Sequence, residues 1–175
     1  LGIANKNIIR LTNLIETLLD FSRIESGKGL KLRLEPVRLM EIVEDAVMTF
    51  SQQLEEKRIT LENHLDPDIP PVLIDRNRWV EVFINLIGNA IKFTPPGGKI
   101  SIDSRGLTEK RDRLKIMVAD TGVGISPEDL PKVFDRFYQG GRNETGLVTG
   151  TGLGLSITKE IIETHQGSIF AESKS

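Results

Sequence analysis

Arg76-Asn-Arg-Trp79-Val-Glu-Val-Phe83-Ile-Asn85-Leu-Ile-Gly-Asn89-Ala-Ile-Lys92-Phe93 runs without a proline between Asp75 and Pro95-Pro96-Gly97-Gly98. Val80, Val82, Phe83, Ile84, Leu86, Ile87, Ala90 and Ile91 surround a helical axis almost completely, which predicts a largely buried helix with Asp75 as its cap. Asn85 and Asn89 stand one turn apart within that surface, and Lys92 lies three residues further along the same side. A buried amide without a partner costs about 1–3 kcal/mol, so both asparagines must be satisfied. Backbone partners in the core would do so. A hard cation would also do so, because amide oxygens joined by phosphate oxygens and water suit Mg²⁺, with Lys92 countering phosphate charge.

Downstream of the prolines, Lys99 to Arg105 and Leu114 to Ala119 read as a strand pair about the charged turn 109–113. Asp120-Thr121-Gly122-Val123-Gly124 follows, where the chain leaves the sheet. This is ordinary turn chemistry, and equally a carboxylate that can accept from the exocyclic amine of adenine while glycines let the loop pass a flat ring. Guanine presents a carbonyl oxygen at that position, so such a site favours ATP over GTP. Ser126-Pro-Glu-Asp129 opens a short helix with the serine as cap. Phe134-Asp-Arg136-Phe137-Tyr138 reads as a helix end with aromatic anchors, and it puts Arg136 just ahead of a loop, Gln139 to Thr149, that has three glycines and no apolar period. Gly150-Thr151-Gly152-Leu153-Gly154 is a flexible connector or an anion-binding entry to the helix Leu153 to Gln166. It is neither a Walker A loop nor the Rossmann fingerprint. Gly167 closes that helix, and Ser168 to Ala171 reads as a last strand.

Upstream, Val72-Leu-Ile74 is a short strand after the loop of Pro67, Pro70 and Pro71, Arg58 to Asn63 a strand, and Leu39 to Glu56 a helix. Lys31-Leu-Arg-Leu-Glu35 alternates like a strand. From Ile3 to Glu25, Ile8, Leu11, Ile15 and Leu18 recur at spacings of three and four, widened by Leu14 and Phe21. That stripe belongs to a helix built to pack on helices, capped by Gly27, with a boundary near residue 28. A partner helix from another chain or from sequence outside these residues, or the chain's own downstream domain, would cover it.

The 175 residues, 38% of them hydrophobic, are enough for one domain with a real core plus an appendage. With no cysteine there are no disulfides or thiolate metal sites, which fits a reducing compartment and makes the cytoplasm the expected location. A net charge of −2 from 23 basic and 25 acidic residues offers no field for nucleic acid or an anionic membrane. No apolar run approaches the roughly 20 residues of a membrane helix. The chain starts without methionine inside a predicted helix, so it is expected to be a piece of something longer. His64 and His165 are read as structural, His165 as a partly cationic ring in a helix's last turn. No Ser/His/Asp set can be assembled.

The four motifs, Asn85 to Lys92, Asp120 to Gly124, Phe134 to Phe137 and Gly150 to Gly154, resemble in this order the N, G1, F and G2 boxes of the sensor histidine kinases. These belong to the GHKL superfamily of ATPases and kinases that includes the gyrase-type ATPases. Leu14 to Gly27 is similar to the end of the second helix of their dimerisation hairpin. The resemblance implies an α/β (α+β) fold, a two-layer sandwich of a mixed β-sheet and helices (the Bergerat, or histidine-kinase ATPase, fold) preceded by one long amphipathic helix. Residues 1–28 would be the incomplete C-terminal helix of the dimerisation hairpin, and 29–175 the catalytic ATP-binding domain, clipped at its C-terminus, with a lid at about 125–150.

It implies ATP and Mg²⁺ as cofactors. By position Asn89 would coordinate Mg²⁺, Asn85 would support metal and phosphates, Lys92 would bind phosphate, and Phe93 would pack beside adenine, whose amine Asp120 would hold. Gly122 and Gly124 would shape the base pocket and Arg136 would contact the terminal phosphate. Gly150, Thr151, Gly152, Leu153 and Gly154 would line the lid's far hinge. The partners implied are a response-regulator receiver domain and a second copy joined through helix 3–25. The sequence departs from the family in two respects: neither histidine has the setting of the phosphoacceptor, and the further strand with which the family's domain usually continues after the one ending near Ala171 is missing. The reading is a protein-histidine kinase's phosphate donor whose acceptor lies outside this chain. The rivals are a GHKL-type ATPase or protein-serine kinase, and a nucleotide-free dimerisation module.

Overall fold

Ile100 and Ile102 are completely buried, and the polar residues alternating with them along Lys99–Arg105 (β4) face the other way. β4 is the centre of a mixed three-stranded sheet in the computed structural model. Thr60–His64 (β2) runs parallel to it and Lys115–Asp120 (β5) antiparallel. Glu35–Val37 (β1) and Val72–Ile74 (β3) form a separate antiparallel ribbon. The structure describes residues 30–105, 113–140 and 151–173. The expected helix 3–25, its Gly27 cap, the boundary near residue 28, most of the turn 109–113, most of the loop 139–149, and Gly150 lie outside the described residues.

Among the described residues four helices accompany these strands: Leu39–Thr49 (α1), Ser51–Lys57 (α2), Arg76–Phe93 (α3) and Gly154–Thr164 (α4). Ile42, Val43 and Ala46 of α1 and Phe83, Ile87 and Ile91 of α3 share one core with Ile100 and Ile102 of the sheet. Each fully buried side chain of this size stabilises by about 1.5–3 kcal/mol. The opposite flank of α3 gives Val82 to a second cluster with Leu30, Leu153, Ile157 and Ile161. α3 therefore stands between α1 and α4, which is why its apolar residues wrap the axis. The result is the expected two-layer α/β sandwich with an open sheet.

Register fixes the site. Ile102 pairs with Val118, and Ile100 with Asp120, so Val118 and Asp120 lie on one face of β5, two residues apart. Val118 packs on the core, and Asp120 ends the same row at the mouth between sheet and helices.

Several expected boundaries move. The helix 39–56 breaks at Phe50, whose ring lies against Gly88 of α3, where an added Cβ would come within 3.2 Å of it. Arg58 adopts a left-handed conformation (φ 53°) to close α2, which delays β2 to Thr60. Only Glu35 of the expected strand 31–35 is in a strand, because Leu30 and Leu32 pack into the second core cluster instead. β5 starts and ends one residue later than read.

Ser126 does accept from the Asp129 N–H (3.2 Å), but the segment continues as a turn and a 3₁₀ turn, Leu130–Lys132, rather than an α-helix. The last helix is shorter than read, with Leu153 as its N-cap. Gln166 (φ 62°) takes the left-handed closing position, and the Gly167 N–H reaches the Ile162 carbonyl (2.9 Å). Ser168 to Ala171 forms no strand; that stretch is tethered through Lys115 over the Phe170 ring and the Ser173 hydroxyl on the Ile125 N–H.

His165 has a structural role, its Nδ1 bonded to the Ile161 carbonyl (2.7 Å) and its Nε2 accepting from the Asp75 N–H (3.0 Å). Asp75 caps α3 as expected, accepting from Arg78 N–H (3.2 Å), and also accepts from Arg33 N–H (2.8 Å).

Candidate nucleotide site

α3 carries Asn85 two turns before its end, Asn89 one turn before it, and Lys92 and Phe93 at it, where the Phe93 backbone meets the Asp120 turn. Asn85 has a structural partner: its Nδ2 donates to the Gly154 carbonyl (3.3 Å) and to the Thr158 hydroxyl (3.4 Å), so α3 and α4 are stitched there. Asn89, half-buried, has no hydrogen-bond partner among the described residues. The two asparagines that look alike in sequence therefore differ. Lys92 is exposed, its Nζ 4.6 Å from the centre of the Phe93 ring, and that ring is itself 38% exposed, a large apolar face open at the mouth.

Across from them the Asp120 turn is tightly built. Thr121 exchanges two bonds with Lys99, its N–H to the carbonyl (3.0 Å) and its hydroxyl accepting from the N–H (2.9 Å). The Gly122 N–H donates to Asp120 Oδ1 (2.8 Å), leaving Oδ2 for another donor. A Cβ on Gly122 would come within 2.5 Å of Asp120 Oδ1 and 2.7 Å of the Phe93 carbonyl oxygen. Only glycine lets the turn seat between the carboxylate and the end of α3. Gly124 adopts φ 72°, a second position that favours glycine.

The third side joins the two other motifs. Phe137, itself at φ 60°, donates its N–H to the Gly152 carbonyl (2.9 Å), and a Cβ on Gly152 (φ 71°) would come within 2.7 Å of the Phe137 carbonyl carbon. Arg136 is exposed on this clasp. Thr151 is exposed, and its hydroxyl accepts from the Leu153 N–H (3.3 Å). Leu153 turns into the core beside Val82 and Ile157, so its side chain anchors the loop from behind. Tyr138 donates to Asp129 Oδ1 (2.5 Å). That bond, with the Ser126 hydroxyl, holds the Asp129 carboxyl below the ordinary aspartate range and pushes the Tyr138 hydroxyl up.

The sequence assigned no contact to Thr121, Asp129, Tyr138 or Thr158. Thr158 was within reach of it, lying one helical turn beyond Gly154 on the same face.

The residues present suit a nucleotide with a hard cation. A half-buried side-chain amide, Asn89, and an Asn85 oxygen, neither with a hydrogen bond among the described residues, are the donor types Mg²⁺ prefers. No group of three or more His, Cys, Asp or Glu among the described residues could hold a metal, so a cation here would complete its shell with phosphate and water.

The histidine kinase-, DNA gyrase B-, and HSP90-like ATPase family matches residues 74–175. The chain belongs to that ATPase family. Drug sensory protein A of Synechocystis is 38% identical over 98% of this chain, which spans 26% of that protein. The nucleotide-free catalytic domain of the histidine kinase ThkA superposes with a TM-score of 0.68 at 30% identity, over 82% of this chain and 90% of that one. ThkA solved in complex with the response regulator TrrA gives 0.73 at 27% identity, over 99% of this chain and 46% of that one. Full-length ShkA in complex with AMPPNP gives 0.74 at 25% identity, over 94% of this chain and 34% of that one. The ATPase domain thus has histidine-kinase catalytic domains as its structural relatives, and the chain spans about a quarter of the length of the curated relatives it matches. No helix among the described residues is long and apolar enough to cross a membrane.

Proposed function

We propose that this ATPase domain is the phosphate-donating part of a sensor histidine kinase, passing the γ-phosphoryl group of ATP to a histidine on a dimerisation helix, for onward transfer to a response-regulator aspartate. The observation that carries the reading is the meeting of Phe93, Asp120 and Gly122 at the end of α3, with Asn89, whose side chain has no partner among the described residues, one turn behind. Asp120 Oδ2 accepts from the adenine amine, Phe93 covers the ring, and Gly122 and Gly124 keep the turn flat against it. Lys92 and Arg136 supply positive charge for the phosphates, and the Gly152 to Gly154 entry to α4 brings backbone close to them. Mg²⁺, held by Asn89 with Asn85 in support, neutralises phosphate charge when bound.

Phosphoryl transfer asks a protein chiefly for positioning and electrostatics, and these residues offer little else. Asn85 cannot take a proton from water, and its Nδ2 is already committed to α4. Slow hydrolysis in the absence of an acceptor histidine follows. Residues 1–28 are proposed as part of the dimerisation hairpin, 29–175 as the catalytic domain with its lid at about 125–150, and a second copy and a response-regulator receiver domain as partners, in keeping with the ThkA complex. A cytoplasmic location accords with this chemistry.

Calorimetric titration with AMPPNP and Mg²⁺, repeated on Asp120→Ala, tests the reading. Loss of the charged acceptor should weaken binding by about 10- to 100-fold, in line with 1.5–3 kcal/mol for a hydrogen bond to a charged group. Equal binding by the variant would mean the base sits elsewhere. Hydrolysis by the parent at the pace of a dedicated ATPase, about 1 s⁻¹ or faster, would favour the ATPase rival.

A further inference from the structure

α3 ends in front of two prolines. The carbonyls of Ile91 and Lys92 would ordinarily accept from the N–H groups four residues on, but positions 95 and 96 are prolines and have none. The missing donor comes from another helix. Lys57, the last residue of α2, extends its Nζ to the carbonyls of Ile91 (2.6 Å), Thr94 (3.1 Å) and Lys92 (3.3 Å). An ammonium has three protons and no acceptor, so it matches three carbonyls at the negative end of a helix. Lys57 also grips the turn beyond, because its own carbonyl accepts from the Gly97 N–H (2.9 Å).

The two neighbouring carbonyls complete the picture. Ala90 accepts from the Thr94 N–H (2.9 Å), and Phe93 accepts from the Val123 N–H at 3.4 Å, a long bond and the joint between α3 and the Asp120 turn. The end of α3 carries Phe93 and Lys92, and Asn89 one turn back. With Ile91 and Lys92 deprived of an acceptor's partner, that turn would fray, and the long Phe93 to Val123 joint would be the first contact to move.

We propose that Lys57 is a positioning residue for the nucleotide pocket: by supplying the donors that Pro95-Pro96 cannot, it fixes the last turn of α3 against the Asp120 to Gly124 turn. This rests on the nucleotide reading above. Lys57 touches no nucleotide and acts through Phe93, Lys92 and Val123.

The test uses Lys57→Met, which keeps the aliphatic stem, Lys57→Arg, which keeps the charge, and Ile102→Val, a core change away from the pocket. AMPPNP affinity with Mg²⁺ is measured well below each unfolding transition, together with the amide resonance of Val123 in the free protein. Lys57→Met should weaken binding about tenfold, the scale of a modest misplacement of binding groups, and shift the Val123 resonance. Lys57→Arg should restore both in large part, and Ile102→Val should lower the unfolding temperature while leaving both unchanged. A parent that binds while Lys57→Met binds equally well, with Val123 unmoved, overturns the positioning role alone. A parent that does not bind nucleotide overturns the pocket reading and this proposal with it.

Discussion

The two sides of the proposed pocket are each closed by a glycine pressed on a neighbouring backbone, yet they are built differently. On the base side, Gly122 meets the Phe93 carbonyl, and the turn around it is fastened to β4 by Thr121, to Asp120 by its own N–H, and to α3 by Val123. On the proposed phosphate side, the Phe137 N–H donates to the Gly152 carbonyl, and both residues sit at positive φ, a conformation that costs a non-glycine residue about 1–2 kcal/mol. The first side borrows rigidity from a sheet and a buried helix. The second pairs two short loop segments against each other, and strain at Phe137 is paid for by the clasp and by the Tyr138 to Asp129 bond. A base side fastened to sheet and helix, beside a phosphate side built on a clasp of loops, suits the proposed donor, one end holding the nucleotide while the other reaches a separate acceptor.

Breaking the base side should have the largest effect. Gly122→Val forces Cβ into both Asp120 and the Phe93 carbonyl, and the resulting displacement should cost about 100-fold in affinity for AMPPNP and adenosine alike, read by calorimetry. Gly152→Ala should weaken AMPPNP about tenfold, matching the left-handed strain, while adenosine binds as before. Equal losses for adenosine in both variants would erase the distinction between the two sides.

The asparagines sharpen it further. Asn85→Ala removes the stitch to Gly154 and Thr158 and should lower unfolding stability by about 1 kcal/mol in denaturant titrations. Asn89→Ala loses no hydrogen bond among the described residues, so its stability should stay within about 0.5 kcal/mol while the Mg²⁺-dependent part of nucleotide affinity disappears.

Tyr138→Phe should have the smallest effect, and a pH-dependent one. The Asp129 carboxyl is held below its ordinary value, so its contribution is present above about pH 4 and is lost as pH falls through the folded value. Tyr138 is shifted up, so its contribution is present below about pH 10 and is lost as pH rises through its folded value. The thermal stabilities of parent and variant should differ slightly at neutral pH and converge in strong acid. A gap that persists at pH 2 would show that the hydroxyl acts by some other contact.

Which of these features sequence could reveal follows from their range. α3 and β4 match their predicted bounds because Asp75, the double proline and the glycines punctuate them and apolar periodicity fills them. The four motifs were visible as local runs, and the roles given to their residues are proposals. The break at Phe50 was not, because it depends on a ring meeting Gly88, and no proline or glycine marks it. The strand expected at Ser168 to Ala171 has the right residues but no ladder. The different fates of Asn85 and Asn89 were hidden because the partner of one lies 69 residues away on α4. Lys57 was hidden for the same reason, its partners lying 34 to 37 residues downstream.

The central claim is that nucleotide lies between the end of α3 and the Asp120 turn. Amide resonances followed through a titration with AMPPNP and Mg²⁺ test it most directly. The account predicts the largest perturbations at Asn89, Lys92, Phe93 and Asp120 to Gly124, with smaller ones at Gly152 to Gly154. Perturbations centred on the polar outer face of the sheet, around Glu62, Ser101 and Asp103, with α3 and the Asp120 turn unmoved, would contradict it.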